Sequence, residues 1–133
     1  MRPIMANCST VIRFLVWLVN RTPAARDQLT NWNKTIQFTL TGEDPFYVTF
    51  MDKRMTYNYG RAATTDLEFV STSKDFFDVM SGKTRFDQGF SNGTYTIHGS
   101  ITDAVRVMRI AELAFESHSG LNKVMRAALG IFT

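Results

Sequence analysis

The sequence predicts an α+β fold, in which five strands share one apolar face and helices carry matching apolar stripes. Three observations predict it. Apolar and polar residues alternate with period two through the middle of the chain. The period lengthens to that of a helix over 104–115 and again over 121–132. Ser/Thr residues with Asp three positions on, at Thr72/Asp75, Thr84/Asp87 and Ser100/Asp103, mark helix starts between these segments.

In chain order, residues 1–8 form a loose tail, and Ser9 or Thr10 is the expected cap of a first helix. The run Val11–Val19 is apolar at every position but Arg13, so it needs partners on more than one side. Core packing, a subunit contact and a membrane-surface anchor all satisfy that need. A second helix is expected from Pro23, which suits the first helical position after Thr22, to about Trp32. Lys34–Thr41 then alternates, with Ile36, Phe38 and Leu40 on one face. Gly42–Pro45 turns the chain into Phe46–Met51, where Phe46, Val48 and Phe50 alternate with Tyr47, Thr49 and Met51. Asp52-Lys53 is a tight turn lacking the usual glycine. Met55, Tyr57 and Tyr59 alternate in a third strand, and Thr65, Leu67 and Phe69 in a fourth. These four strands are expected to form an antiparallel meander. Asp66 and Glu68 share the polar side of theirs and are read as a solvated face rather than a catalytic pair.

Two short helices follow, the first ending at Gly82 and the second near Asn92-Gly93. Phe76, Phe77, Val79, Met80, Phe86 and Phe90 crowd into them. Helices this short do not stand alone, so they must lie on an apolar surface. Tyr95 and Ile97 point one way in a fifth strand. Ser100 opens the longest helix, with Ala104, Val107, Met108, Ala111, Ala114 and Phe115 as its stripe. After a break at Ser117–Gly120, Leu121, Val124, Met125, Ala128, Leu129 and Phe132 form the stripe of a terminal helix, which reads as a lid, as cladding of the core, or as a partner-binding helix.

Composition bounds the function. The chain has 133 residues, 44% apolar and 20% charged, with 11 Phe and 7 Met. That is one globular domain whose bulky, adaptable side chains suit a core or a greasy pocket. The net charge of +3 is scattered, without the concentrated basic stripe that nucleic-acid binding requires. A single cysteine, Cys8, excludes an internal disulfide, and with two separated histidines it makes a zinc site implausible. Phe14–Val19 is too short for a signal-peptide core or a membrane span, so the Asn-x-Ser/Thr triplets at Asn7, Asn20, Asn33 and Asn92 read as chance. No nucleophile–base set, phosphate loop or metal cluster is visible, and no cofactor is expected. The expected location is cytoplasmic, with peripheral contact at the inner face of the membrane left open.

The order of elements, with Asp75-Phe76-Phe77, Ser81-Gly82-Lys83, Phe90 followed by Gly93, and Ile97-His98-Gly99 leading into a helix, resembles the sterol carrier protein 2 (SCP-2) family over roughly 34–115. The resemblance implies a five-stranded, mostly antiparallel sheet with helices packed on one face. It also implies an apolar tunnel for a sterol, a fatty acyl chain or another lipid, and no catalytic residues. Departures are Thr94 where the family commonly has a basic residue, Gly89 where it often has Ala, and Ser100 where an acidic residue is frequent. The expected organisation is an apolar helical extension at 1–33 and one compact lipid-binding unit at 34–133. The expected tunnel wall is Phe38, Leu40, Phe69, Phe77, Met80, Phe90, Met108, Met125 and Leu129. Beside a lipid carrier, the layout is similar to SCP-2-like accessory proteins of isoprenoid-quinone biosynthesis. In that reading the 11–19 helix docks on a membrane, a second copy of the chain or another protein.

Overall fold

The computed structural model describes residues 7–81 and 83–117. The expected terminal helix, with Met125 and Leu129, lies outside them, as does Gly82. Helices α1 (Cys8–Asn20) and α2 (Pro23–Asp27) precede strands β1 (Lys34–Thr41), β2 (Phe46–Met51), β3 (Arg54–Tyr59) and β4 (Leu67–Thr72). Then come α3 (Ser73–Met80), α4 (Phe86–Ser91), β5 (Tyr95–Gly99) and α5 (Ile101–Ser117). The strands form one sheet of order β3-β2-β1-β4-β5. Three of its pairings are antiparallel, and β1–β4 is parallel.

The sheet is therefore mostly antiparallel, but the first four strands are not the simple meander that alternation suggested. The connection from β3 passes both β2 and β1, so that β4 lies on the far side of β1. Side chains on the polar face of β1 account for the crossover. Gln37 is buried, its Nε2 donating to the carbonyls of Phe46 (3.0 Å) and Gly60 (3.1 Å), and its Oε1 accepting from the Ala62 N–H (2.9 Å). Gly60, at φ +85°, swings the chain off β3 into this cradle. Asp66 then clips the connection to β1. Its carboxylate accepts from the Thr35 N–H at 2.8 Å, while its own N–H donates to the Thr35 carbonyl at 2.9 Å.

Local signals set most boundaries. Thr72 caps α3 by accepting from the Asp75 N–H (3.1 Å), and Ser100 accepts from the Asp103 N–H (3.2 Å) at α5. α1 starts earlier than expected, because Asn7 rather than Ser9 or Thr10 is the cap, accepting from the Thr10 N–H at 2.8 Å. α4 has Arg85 rather than Thr84 at its cap position and no side-chain cap bond. Asp52 and Lys53 both adopt left-handed φ (54° and 61°), the geometry of a primed hairpin turn, without glycine.

The helices lie on the face bearing Phe38, Phe46 and Phe69. α1 runs along the outer strand β3, and α5 packs on α1 and α2 and reaches the sheet at β5. α3 covers β4 and β1, while α4 sits on β5. The buried cluster is continuous from Cys8, Ile12, Leu15, Leu18 and Val19 of α1, through the sheet, to Val107, Ile110 and Ala114 of α5. Two polar ties hold α1 in place. Asn20 bonds both the N–H and the C=O of Met55, each at 2.8 Å, on the outer side of β3 in the described sheet. Glu43, in the β1–β2 turn, accepts from the N–H groups of Cys8 (3.0 Å) and Ser9 (2.9 Å) and from the Ser73 hydroxyl. A carboxylate there faces the positive end of the α1 dipole.

Candidate functional site

The helix-facing side of the sheet is floored by aromatic rings, one strand after another. Tyr59 and Tyr57 of β3 are 5.3 Å apart, Tyr57 lies 5.5 Å from Phe46 of β2, and Phe46 stacks at 4.9 Å on Phe38 of β1. Phe38 is 5.4 Å from Phe69 of β4, which is 6.2 Å from Tyr95 of β5, and Tyr95 is 6.2 Å from Phe90 of α4. Phe76 of α3 roofs the centre, 5.7, 5.3 and 6.0 Å from Phe38, Phe69 and Tyr95. The row follows from sheet register, since Phe38 pairs with both Phe46 and Phe69, and Phe46 pairs with Tyr59. Each ring pair adds about 0.5–1.5 kcal/mol beyond burial alone.

Two glycines shape the β5 end. A Cβ on Gly89 would stand 2.8 Å from Tyr95 Cε1 and 3.4 Å from Val79 Cγ2. Gly89, one of the departures from the family pattern, is thus what lets α4 settle onto the Tyr95 ring. Gly99 has φ +120°, and a Cβ there would meet the Asp66 carbonyl oxygen at 2.5 Å. The glycine of Ile97-His98-Gly99 is therefore required by the close approach of β5 to the start of β4.

The expected wall residues divide into two groups. Phe38, Leu40 and Phe69 are fully buried, inside the packed row. Phe77 and Met80 of α3 and Met108 of α5 are half-buried, and Phe90 is 43% exposed. Ile97, Ala111 and Phe115 are also partly buried against the core, so these apolar side chains rim it along β5, α3 and α5. The α5 stripe is rotated from the expected one. Ile110 is buried in place of Met108, because Trp32 donates to Asp103 (3.3 Å) and Arg106 stacks over Trp32 (5.4 Å), fixing that side of α5 on the segment between α2 and β1. Sequence reasoning missed Phe76 and Tyr95 as site residues. Phe76 and Val79, three apart from a Thr72 cap, carried the inward register, and Tyr95 alternates with Ile97.

Electrostatics are muted. Burial, helped by the Asp87 charge, pushes the Tyr95 phenol up to about 12. Burial first, and then the Glu43 carboxylate, push the Cys8 thiol up. The thiol donates to the Ser73 carbonyl at 3.2 Å and is not a reactive nucleophile. Glu68 accepts from the Thr39 hydroxyl (2.6 Å) and Asp66 is the β1 clip, so both carboxylates are structural. His98 is exposed on the opposite face of the sheet from the ring row. Among the described residues, no three His, Cys, Asp or Glu side chains gather to hold a metal ion, and no helix is long and apolar enough to cross a membrane.

An aromatic-floored sheet roofed on one side by short helices defines an SCP-2-like α+β fold. The sequence profile of the SCP-2 sterol transfer family matches residues 17–112, and the chain belongs to that family. Solved structures agree on the fold. A ubiquinone synthesis protein, UbiJ-SCP2, superimposes with TM-score 0.64 at 17% identity over 78% of this chain and 87% of its own. The sterol carrier protein domain 2 of Helicoverpa armigera gives 0.65 at 16% identity, over 78% of this chain and 84% of its own. Apo sterol carrier protein 2 from Yarrowia lipolytica gives 0.63 at 16%, over 80% and 91%. No curated protein matches the sequence.

Proposed function

We propose that the protein binds one hydrophobic lipid (a sterol, a fatty acyl chain or an isoprenoid) between sheet and helices, and carries it without catalysing a reaction. The observation that carries this reading is the rim of half-buried Phe77, Met80, Ile97 and Met108 and exposed Phe90 beside an aromatic floor, in a chain of the SCP-2 sterol transfer family. A hydrocarbon needs only apolar surface, at about 0.8 kcal/mol per buried methylene. Of the expected wall, Phe38, Leu40 and Phe69 then serve as floor, and Phe77, Met80, Phe90 and Met108 as the contact surface. Native mass spectrometry of freshly purified protein is expected to show a lipid adduct, and a fluorescent fatty acid is expected to bind saturably. Absence of both overturns the reading.

A second reading is an accessory protein of isoprenoid-quinone biosynthesis that docks on an anionic membrane through α1. Support comes from the outer face of α1 and from the fold shared with UbiJ-SCP2. Trp17 is 43% exposed there, stacked on Phe14 (5.9 Å) and beneath the Arg21 guanidinium (4.5 Å). Tryptophan with arginine suits the lipid headgroup layer. On this reading Trp17→Ala and Arg21→Gln lower co-sedimentation with phosphatidylglycerol-containing vesicles while fatty-acid uptake is unchanged. Vesicle binding equal to that of the unaltered protein counts against it.

A further inference from the structure

We propose that Tyr95 is the end stop of the lipid compartment, setting how much hydrocarbon the protein buries. The inference rests on the lipid-binding reading above and concerns its specificity. On β5 the helix-facing positions are Tyr95, Ile97 and Gly99, which descend from a full ring, through a branched aliphatic side chain, to none at all. The floor of this strand is therefore highest at Tyr95 and lowest at Gly99. The Tyr95 ring is 2% exposed and wedged where α3, α4 and β5 meet, with Phe76 at 6.0 Å and Phe90 at 6.2 Å. Its edge occupies the space over Gly89, whose missing Cβ would lie 2.8 Å from Cε1 and 3.2 Å from Cδ1. Ile97, two residues on, is only partly buried. On this inference, an extended chain lying over Ile97 toward α4 would run up against a ring held between Phe76 of α3 and Gly89 and Phe90 of α4.

The test is a displacement series with saturated fatty acids of increasing length on the intact chain, comparing the unaltered protein with Tyr95→Ala, Tyr95→Leu, Tyr95→Phe and Gly89→Ala. Each further methylene buried strengthens binding roughly fourfold. In the unaltered protein that gain is expected to stop at one length. In Tyr95→Ala it is expected to continue to longer chains at the same increment. Tyr95→Phe keeps the ring and is expected to keep the original stop, which separates ring volume from the hydroxyl. Gly89→Ala drives the ring off its seat toward Ile97, and the stop is expected at a shorter length. Thermal melting monitors folding, and if Tyr95→Ala does not fold, the Leu and Gly89→Ala variants decide. A stop unchanged in every folded variant overturns the inference and leaves lipid binding intact. Failure of the unaltered protein to bind any chain length overturns the lipid reading, and the stop with it.

Discussion

Over β1, β2 and the start of β3 the helix-facing side chains are sealed, while Tyr57 is half-buried and Tyr59 exposed at the far end of β3. Ile36, Phe38, Phe46, Val48, Phe50 and Met55 are buried beneath Ile12, Leu15, Leu18, Val19, Leu29 and Trp32. Over β5 and the α3–α4 corner the same sheet face is half-covered, with Phe77, Met80 and Ile97 partly buried and Phe90 exposed. The closed half is tied by directional bonds at Asn20, Glu43 and Gln37, while α4 has no side-chain cap and settles on a ring. The contrast assigns different work to the two halves. The closed half supplies the stability of the fold, and the other keeps apolar surface that an added molecule can cover without dismantling the core.

The severest test is deletion of residues 1–33. It removes at least six fully buried aliphatic or aromatic side chains from the closed half, each worth about 1.5–3 kcal/mol, against a typical total stability of about 5–15 kcal/mol. The truncated chain is expected to show no cooperative melting transition by circular dichroism. A cooperative transition would mean that the sheet and later helices suffice. Next in size, Phe38→Ala and Leu18→Ala are expected to cost about 3–5 and 2–5 kcal/mol in urea unfolding. Glu43→Ala frees the charge-assisted bonds to the first turn of α1 and is expected to cost about 2 kcal/mol. Phe90→Gln, on the open half, is expected to cost about 1 kcal/mol or less yet to weaken fatty-acid uptake severalfold. If it instead destabilises like Phe38→Ala, the distinction between the halves fails.

The smallest effect is one of pH. The folded Tyr95 phenol is raised from 10 to about 12, so the unfolded chain loses this proton first as pH rises. Its contribution to stability is complete below about pH 10 and is lost between about 10 and 12. Absorbance titration should show one phenol ionising late, and Tyr95→Phe should remove that late step.

Much of the fold was legible because it is written in local periods. Alternation located every strand, and the Thr72 and Ser100 hydroxyls marked helix starts correctly. The crossover of β4 was not legible. It depends on one amide, Gln37, that looks like any polar outward residue and acts on Gly60 and Ala62, more than twenty positions away. The same holds for Asn20 on Met55 and Glu43 on Cys8, side-chain bonds spanning 35 residues that leave no periodic trace. In the region of the candidate site, apolar type marked Phe38 and Phe69 for burial but could not separate floor from rim, because that depends on how α4 and α5 lie on the sheet. Tyr95 was passed over for the same reason: its weight comes from the glycine opposite, not from its own neighbours in sequence.

The pairing of Asn20 with Met55 has a consequence beyond the single molecule. Among the described residues β3 is the outer strand on its side of the sheet, and the outward backbone of such a strand is a template on which another chain can add a strand. One carboxamide occupies both the donor and the acceptor of Met55, at the start of that edge. Replacing Asn20 with Leu would therefore do more than subtract two hydrogen bonds. It would leave the edge free to recruit identical neighbours, and concentrated solutions of such a variant should drift toward polymers while dilute ones remain folded.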